Sequence, residues 1–255
     1  MDDSIGGKTW SLDQRARAAL LLERARCQLA DGDPEGAVVY AEELLDEDPD
    51  DADALLVVAD AAPRYGHGEV GLLAAQKARR LGRDPGVIEA AAMLSACLVD
   101  DALAATAAIL EANTANARAW AVRAQALEVL GRLAEADDAL ERAHALRPES
   151  YPRAVQLHEA QWDAAVREAL SMLDTPERRV AARWRVELRD APTIDDLQSV
   201  RPVAPPATFA LLLTTDGGPV LRAFRRPLCR GANDAEEVSM RLAEAIRYEV
   251  ELRAE

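Results

Sequence analysis

Three stretches of this chain carry the same kinds of residue at the same offsets. Counted from Ala117, they are Trp120, Ala124 and Leu127, then Gly131, then Ala136, Leu140 and Ala143, then Pro148. Counted from Ala18, the same places hold Leu21, Ala25, Gly32, Ala37, Ala41, Leu44 and Pro49. Counted from Ala52, they hold Leu55, Ala59, Gly66, Ala75 and Ala78, with Ala62 also on the first helix. Gly71 stands there where the other two stretches have alanine, and Pro85 falls two places late. The starts at 18 and 52 are 34 residues apart. Each unit predicts two helices whose small residues let their backbones approach closely. The glycine between them supplies the positive φ of a tight turn, and the proline stops the second helix.

Between the stretches that start at Ala52 and Ala117, residues 86–116 form a shorter unit of 31 residues without a turn glycine. VIEAAAMLSACL and DDALAATAAILEA still read as two helices around Val99, Asp100 and Asp101. The pattern resembles the tetratricopeptide repeat, with about four units over residues 12–150, two of them degenerate. The resemblance implies an α-helical solenoid in which units stack because none buries its apolar face alone. It also implies a groove lined by the second, fifth, ninth and twelfth places of each first helix. Those are Ala19, Leu22, Arg26 and Leu29, then Asp53, Leu56, Asp60 and Pro63, then Arg118, Ala121, Gln125 and Glu128. Arg26, Leu29, Leu56, Asp60, Arg118, Gln125 and Glu128 are the candidate protein-binding residues. The Lys and Asn clamp with which some family members grip a peptide C-terminus is absent.

Charge separates the two halves. Residues 1–150 hold 28 acidic and 15 basic side chains, and residues 151–255 hold 17 and 15. The net charge of −15 therefore belongs almost wholly to the repeats. That sign excludes non-specific binding to nucleic acid or to anionic membranes, and it favours a basic or neutral protein partner over an acidic one. No apolar run reaches the roughly 18 residues of a membrane helix. MDDSIGGKTW lacks the basic and apolar regions of a signal peptide, so a cytoplasmic chain is expected. Cys27, Cys97 and Cys229 form no CxxC pair and read as buried small hydrophobes.

After 150 the pattern changes, and residues 151–255 are expected to form a small α+β domain. Residues 153–173 place Val155, His158, Trp162, Ala165, Val166, Ala169, Leu170 and Leu173 on one helical face. Trp184, Val186 and Leu188 alternate with Arg185, Glu187 and Arg189, which predicts a half-buried strand over 183–192. TFALLLTT at 208–215 reads as a buried strand, joined through Asp216-Gly217-Gly218 to a returning strand at 219–226. A closing helix is expected over 234–253, capped by Asn233.

This order of elements resembles a bacterial zincin-like metallopeptidase module. Short matches support it at Arg189-Asp190-Ala191-Pro192, at Phe224-Arg225-Arg226-Pro227-Leu228, and at Leu242-Ala243-Glu244-Ala245-Ile246-Arg247. In that family the last match leads into HExxH, which a zincin needs for two zinc ligands and a general base. Here the two histidines would fall near 252 and 256 and the glutamate near 253. The chain instead has Leu252, Arg253, Ala254 and Glu255. The resemblance therefore implies a non-catalytic relative, with no metal and no cofactor.

Other candidates are weaker. His158-Glu159-Ala160-Gln161-Trp162 begins like HExxH but ends in tryptophan, and His158 reads as a structural residue on its helix. His67 and His144 are isolated in sequence. The acidic run from Glu42 to Asp53 lacks the spacing of a calcium loop and reads as a solvated helix end or a docking patch for a basic partner. Arg222, Arg225, Arg226 and Arg230 are either ordinary exposed charges or a contact with the acidic repeat half or a partner. The expected function is a non-catalytic interaction scaffold holding a peptide or helix in its groove, with self-association through the solenoid ends as a further expectation. The alternative is a hydrolase derived from the zincin module, with altered or partner-supplied ligands.

Overall fold

A computed structural model describes residues 11–253. The N-terminal segment read as lacking a signal peptide, and Ala254 and Glu255, lie outside the described residues. The chain divides into two compact units, Met1–Ile109 and Leu110–Glu255.

The first unit is built of paired helices. The helix α1 (Leu12–Asp31) starts at a capping box. The Ser11 hydroxyl accepts from the Gln14 N–H at 3.2 Å, and the Gln14 side chain accepts from the Ser11 N–H at 2.9 Å. Gly32 ends it at φ 85°, and Asp33 caps α2 (Pro34–Glu47). Asp51 caps α3 (Ala52–Ala61), which tightens into a 3₁₀ turn over Ala62–Tyr65 and reverses at Gly66, φ 92°. The helices α4 (Gly68–Arg80), α5 (Val87–Ser95) and α6 (Val99–Ala112) follow, and the division between units falls within α6. The repeat positions Leu21, Ala25, Ala37, Ala41, Leu44, Leu55, Ala59, Ala75 and Ala78 share one core. Alanine contributes little transfer free energy per residue, so such a core depends on close helix approach.

The short unit keeps its turn without glycine. Cys97 stands 34 residues before Gly131 and takes the left-handed conformation at φ 59°. A non-glycine residue in that backbone costs about 1–2 kcal/mol. The shortening lies before the turn, where α5 has only 9 residues. Cys27 is exposed, contrary to its reading as a core residue, whereas Cys229 is buried, as expected.

In the second unit, α7 (Ala117–Val129) and α8 (Leu133–Leu146) turn at Gly131, φ 71°. The helix expected over 153–173 begins later, as α9 (Glu159–Ser171), with His158 at its N-cap rather than on its buried face. Residues 152–158 are irregular because their backbone is tied elsewhere. The Val155 N–H donates to the Cys229 carbonyl at 3.3 Å. Next come α10 (Thr175–Ala181), β1 (Arg185–Arg189), α11 (Ile194–Gln198), β2 (Ala210–Thr215), β3 (Gly218–Phe224), α12 (Arg225–Cys229) and α13 (Ala235–Glu251). The cap of α13 is Asp234, not Asn233, whose N–H instead donates to Glu237.

The sheet runs β1-β3-β2, with β1 parallel and β2 antiparallel to β3. Leu212, Leu221 and Ala223 join Trp162, Leu173, Leu242 and Ile246 in one core. Leu211, Val220 and Phe224 alternate with them and are buried as well, so the apolar run is buried on both faces. Val186 and Leu188 on β1, and Trp184 just before it, pack against this core, as their alternation predicts.

Arg222 on β3 ties the sheet together. It donates to Glu187 on β1 at 3.1 Å and to Asp196 on α11 at 2.5 Å. The Arg222 hydrogen bond holds the Glu187 carboxyl below the usual range. Burial pushes Asp196 up, but the Thr193 backbone N–H and Arg222 outweigh it and hold that carboxyl low. A lowered native pKa gives stability that is present above the unfolded value, near 4, and is lost as pH falls through the native one. Arg222→Gln removes part of this protection. The acid unfolding midpoint of the variant, followed by circular dichroism, is therefore expected at higher pH than in the parent. An unchanged midpoint would show that the triad does not govern acid stability.

Candidate functional site

Two surfaces qualify, one in each unit. In the first unit the candidate residues lie on α1 and α3. Arg26 on α1 is exposed and lies 3.7 Å from Asp53 on α3, which also pairs with Arg83 at 2.6 Å. Leu29 and Leu56 are half-buried against the core. Asp60 is half-buried and pairs with Arg64 one turn on, at 3.2 Å. The first-helix faces of α1 and α3 therefore adjoin, with charge and apolar surface side by side. The acidic run is partly consumed within the fold. Glu43 and Glu47 pair with Arg17, Asp50 pairs with Lys77, and Asp51 caps α3.

Arg118, Gln125 and Glu128 lie on α7, in the second unit. Arg118 and Gln125 are half-buried. Glu128 does not offer a groove surface. Only 4% of it is exposed, because arginines of the C-terminal module cover it. Arg230 donates to its Oε2 at 2.5 Å, and the Arg226 Nε stands 3.6 Å from its Oε1. Arg226 also pairs with Asp137 on α8, and Arg153 with Glu141 at 2.5 Å. These pairs knit the last helix pair to the residues after 150. The basic cluster thus does contact the acidic repeat half, through Arg226 and Arg230. Arg222 acts within the sheet instead.

Beside these pairs lies a cavity of about 800 Å³. Its apolar wall includes Leu133 and Leu140 of α8, Leu157 and Trp162. The Arg225 guanidinium sits 5.7 Å from the Trp162 ring centroid and bonds Glu159 at 2.9 Å. The His144 Nδ1 lies 3.0 Å from the Tyr151 carbonyl, which can only accept, so Nδ1 carries the proton. Three atoms here are buried with no hydrogen-bond partner among the described residues: Glu128 Oε1, Arg225 Nε and Arg230 Nη1. Burial also pushes the Cys229 thiol up to about 11, so it stays protonated and is a poor nucleophile at neutral pH. The irregular segment that lines the cavity was read as helix. Pro148 and Pro152, four residues apart, are the sequence signal that could have found it.

His67 is exposed and packs edge-on against Tyr65 at 4.9 Å. Among the described residues, no group of three or more His, Cys, Asp or Glu could hold a metal ion. No described helix is long and apolar enough to cross a membrane. The last of the three short matches to a zincin-like module lies on α13, where Leu242 and Ile246 are core residues and Arg247 donates to the Met172 carbonyl.

No family model matches the chain, and no curated protein matches it. Solved structures of MamA do. Residues 41 to the end of MamA from Desulfovibrio magneticus RS-1 are 21% identical, covering 65% of this chain and 89% of that one, with a TM-score of 0.41. A MamA AMB-1 structure is 24% identical, covering 52% and 80%, also at 0.41. Similarity at this identity and overlap does not transfer an activity or a partner, and nothing in it supports the zincin-like resemblance.

Proposed function

We propose that the protein is a non-catalytic interaction module of tetratricopeptide type, holding a peptide or helix of a partner protein on the first-helix face of α1 and α3. The observation that carries this reading is the Arg26–Asp53 pair. It joins equivalent faces of consecutive helix pairs and leaves Leu29, Leu56 and Asp60 beside it. Such a surface supplies apolar anchors between charges that fix register. The acidity of the repeats favours a basic or neutral partner. Self-association, through the solenoid ends, belongs to this reading.

Affinity capture from the native host tests it. Arg26→Glu and Asp60→Lys are expected to lose the proteins that the parent retains, while Glu69→Lys, an exposed change on α4, keeps them. All three should unfold at temperatures near the parent's. Capture that is the same for all four proteins would remove this face as the binding surface.

A further inference from the structure

We propose that the open edge of β1 is a self-association surface, on which a second copy of this chain adds its own β1 antiparallel about a two-fold axis. This goes beyond the α1–α3 face and is independent of it. The sheet order β1-β3-β2 leaves two edges, and they differ. On β2 the outward peptide groups of Leu212 are covered by side chains. Its N–H donates to the Glu249 carboxylate, and its carbonyl accepts from Arg253 at 3.0 Å. The β1 edge has no such cover. The Phe224 N–H donates to the Phe209 carbonyl at 2.8 Å, so Phe224 faces β2, and the alternation turns Ala223 and Leu221 towards β1. Those two stand opposite Leu188 and Val186, and in a parallel ladder they bond the flanking residues Arg185, Glu187 and Arg189. The peptide groups of Val186 and Leu188 therefore point outward, and among the described residues no backbone hydrogen bond reaches them from elsewhere. An open edge of that kind is a template for another strand.

The side chains decide which strand fits. An edge of like charges repels a second copy of itself. This edge carries Arg185 and Glu187 on one face. A two-fold axis through Val186 sets each Arg185 opposite the Glu187 of the other copy. Arg185 is exposed and has no ion pair among the described residues, so its charge is free to engage such a partner. On the other face the same axis sets Val186 against Val186 and Trp184 against Leu188. All three are half-buried against the core, and the contact continues that apolar layer. Val186 exchanges both of its bonds with its own copy, and each Leu188 N–H meets the Trp184 carbonyl opposite. An axis through Glu187 would instead oppose Glu187 to itself and Arg185 to Arg189. One through Leu188 would set Val186 against Asp190, whose carbonyl already accepts from the Arg226 N–H at 2.9 Å. The contact is isologous, so it closes as a dimer.

Sedimentation of the full chain from about 1 to about 100 µM tests the contact, since a short edge gives a weak complex. A monomer–dimer equilibrium is expected. Val186→Pro removes an N–H that the sheet does not use, and an edge strand tolerates proline there. The two-fold axis makes the loss count in both copies, so dimerisation should weaken at least about tenfold. Arg185→Glu leaves the backbone intact and should also weaken it, which keeps the test decisive if the proline variant fails to fold. Cross-linking reads the register. In a Cys27→Ser background, which removes the exposed cysteine, Arg185→Cys chains and Glu187→Cys chains are mixed and oxidised. Positions 185 and 187 of opposite copies would lie about 4.5 Å apart at Cα, within disulfide reach. The mixed disulfide should therefore dominate over either symmetric one. A chain still monomeric at about 100 µM would overturn the proposal and leave the edge to a strand of another protein. A dimer that survives both Val186→Pro and Arg185→Glu would overturn it too, by placing the association elsewhere. So would oxidation that joins Glu187→Cys chains mainly to each other.

Discussion

The Glu128→Ala protein is expected to lose about 2–4 kcal/mol of stability in its second unit. Removing one member of a buried ionic cluster leaves its partners charged and unpaired, and that penalty commonly exceeds what the pair itself contributes. Here Arg226 loses one of two partners and keeps Asp137, while the Arg230 guanidinium loses its ion-pair partner. Their side chains are 20% and 24% exposed, so water offsets part of the loss and the figure lies below the fully buried limit. Hydrogen exchange read peptide by peptide is the measurement of choice, because the chain has two units and a single melting curve would blend them. Protection should fall in α7 and α12 together, and stay unchanged in α1 to α4. A triple variant, Glu128→Leu with Arg226→Met and Arg230→Met, should recover most of the loss by replacing the cluster with apolar volume. If Glu128→Ala exchanges like the parent, the cluster does not hold α7 to the module.

What the sequence made legible follows from the range of the interactions involved. The helix pairs were visible because a turn glycine and a buried alanine act within one repeat. Gly32, Gly66 and Gly131 all have positive φ. The short unit was harder, since Cys97 does the work of glycine with a side chain that gives no such signal. The face carrying Arg26 and Asp60 was readable for the same local reason, because offset along a helix fixes the face. Offset does not say what covers that face. Glu128 shares the groove register, yet its partner Arg230 lies 102 residues further on. The cavity is equally non-local, since it needs α8, the irregular stretch after Tyr151 and α12 at once. The helix read over 153–173 failed at its start because apolar spacing cannot register a backbone bond to Cys229.

Gly71→Ala is expected to destabilise the first unit, although alanine is what the repeat pattern asks for at that place. Ala37 and Ala136 hold the equivalent position and are fully buried. Helix propensity alone predicts a gain of about 1 kcal/mol for the change. Packing opposes it. A Cβ on Gly71 would stand 2.5 Å from the Pro63 Cγ and 3.1 Å from the Ala59 carbonyl oxygen. Overpacking of a tight core costs about 1–3 kcal/mol, so the net effect is a loss. Pro63 is the cause, because it fills the space that the other repeats leave to the alanine methyl. In a double-mutant cycle, Gly71→Ala should therefore cost less in a Pro63→Ala background, with a coupling of about 1 kcal/mol or more. Gly68→Ala is the sterner case. Its Cβ would lie 2.4 Å from the Ser95 carbonyl carbon and 2.6 Å from the Ala96 nitrogen. Both are backbone atoms, which no side-chain change can move. A loss near the upper end of the same range, about 3 kcal/mol, is expected there. Urea unfolding with hydrogen exchange across α3 to α5 distinguishes the two sites. Additive effects at Gly71 and Pro63 would mean that the repeat tolerates alanine and that the glycine answers to something other than this contact.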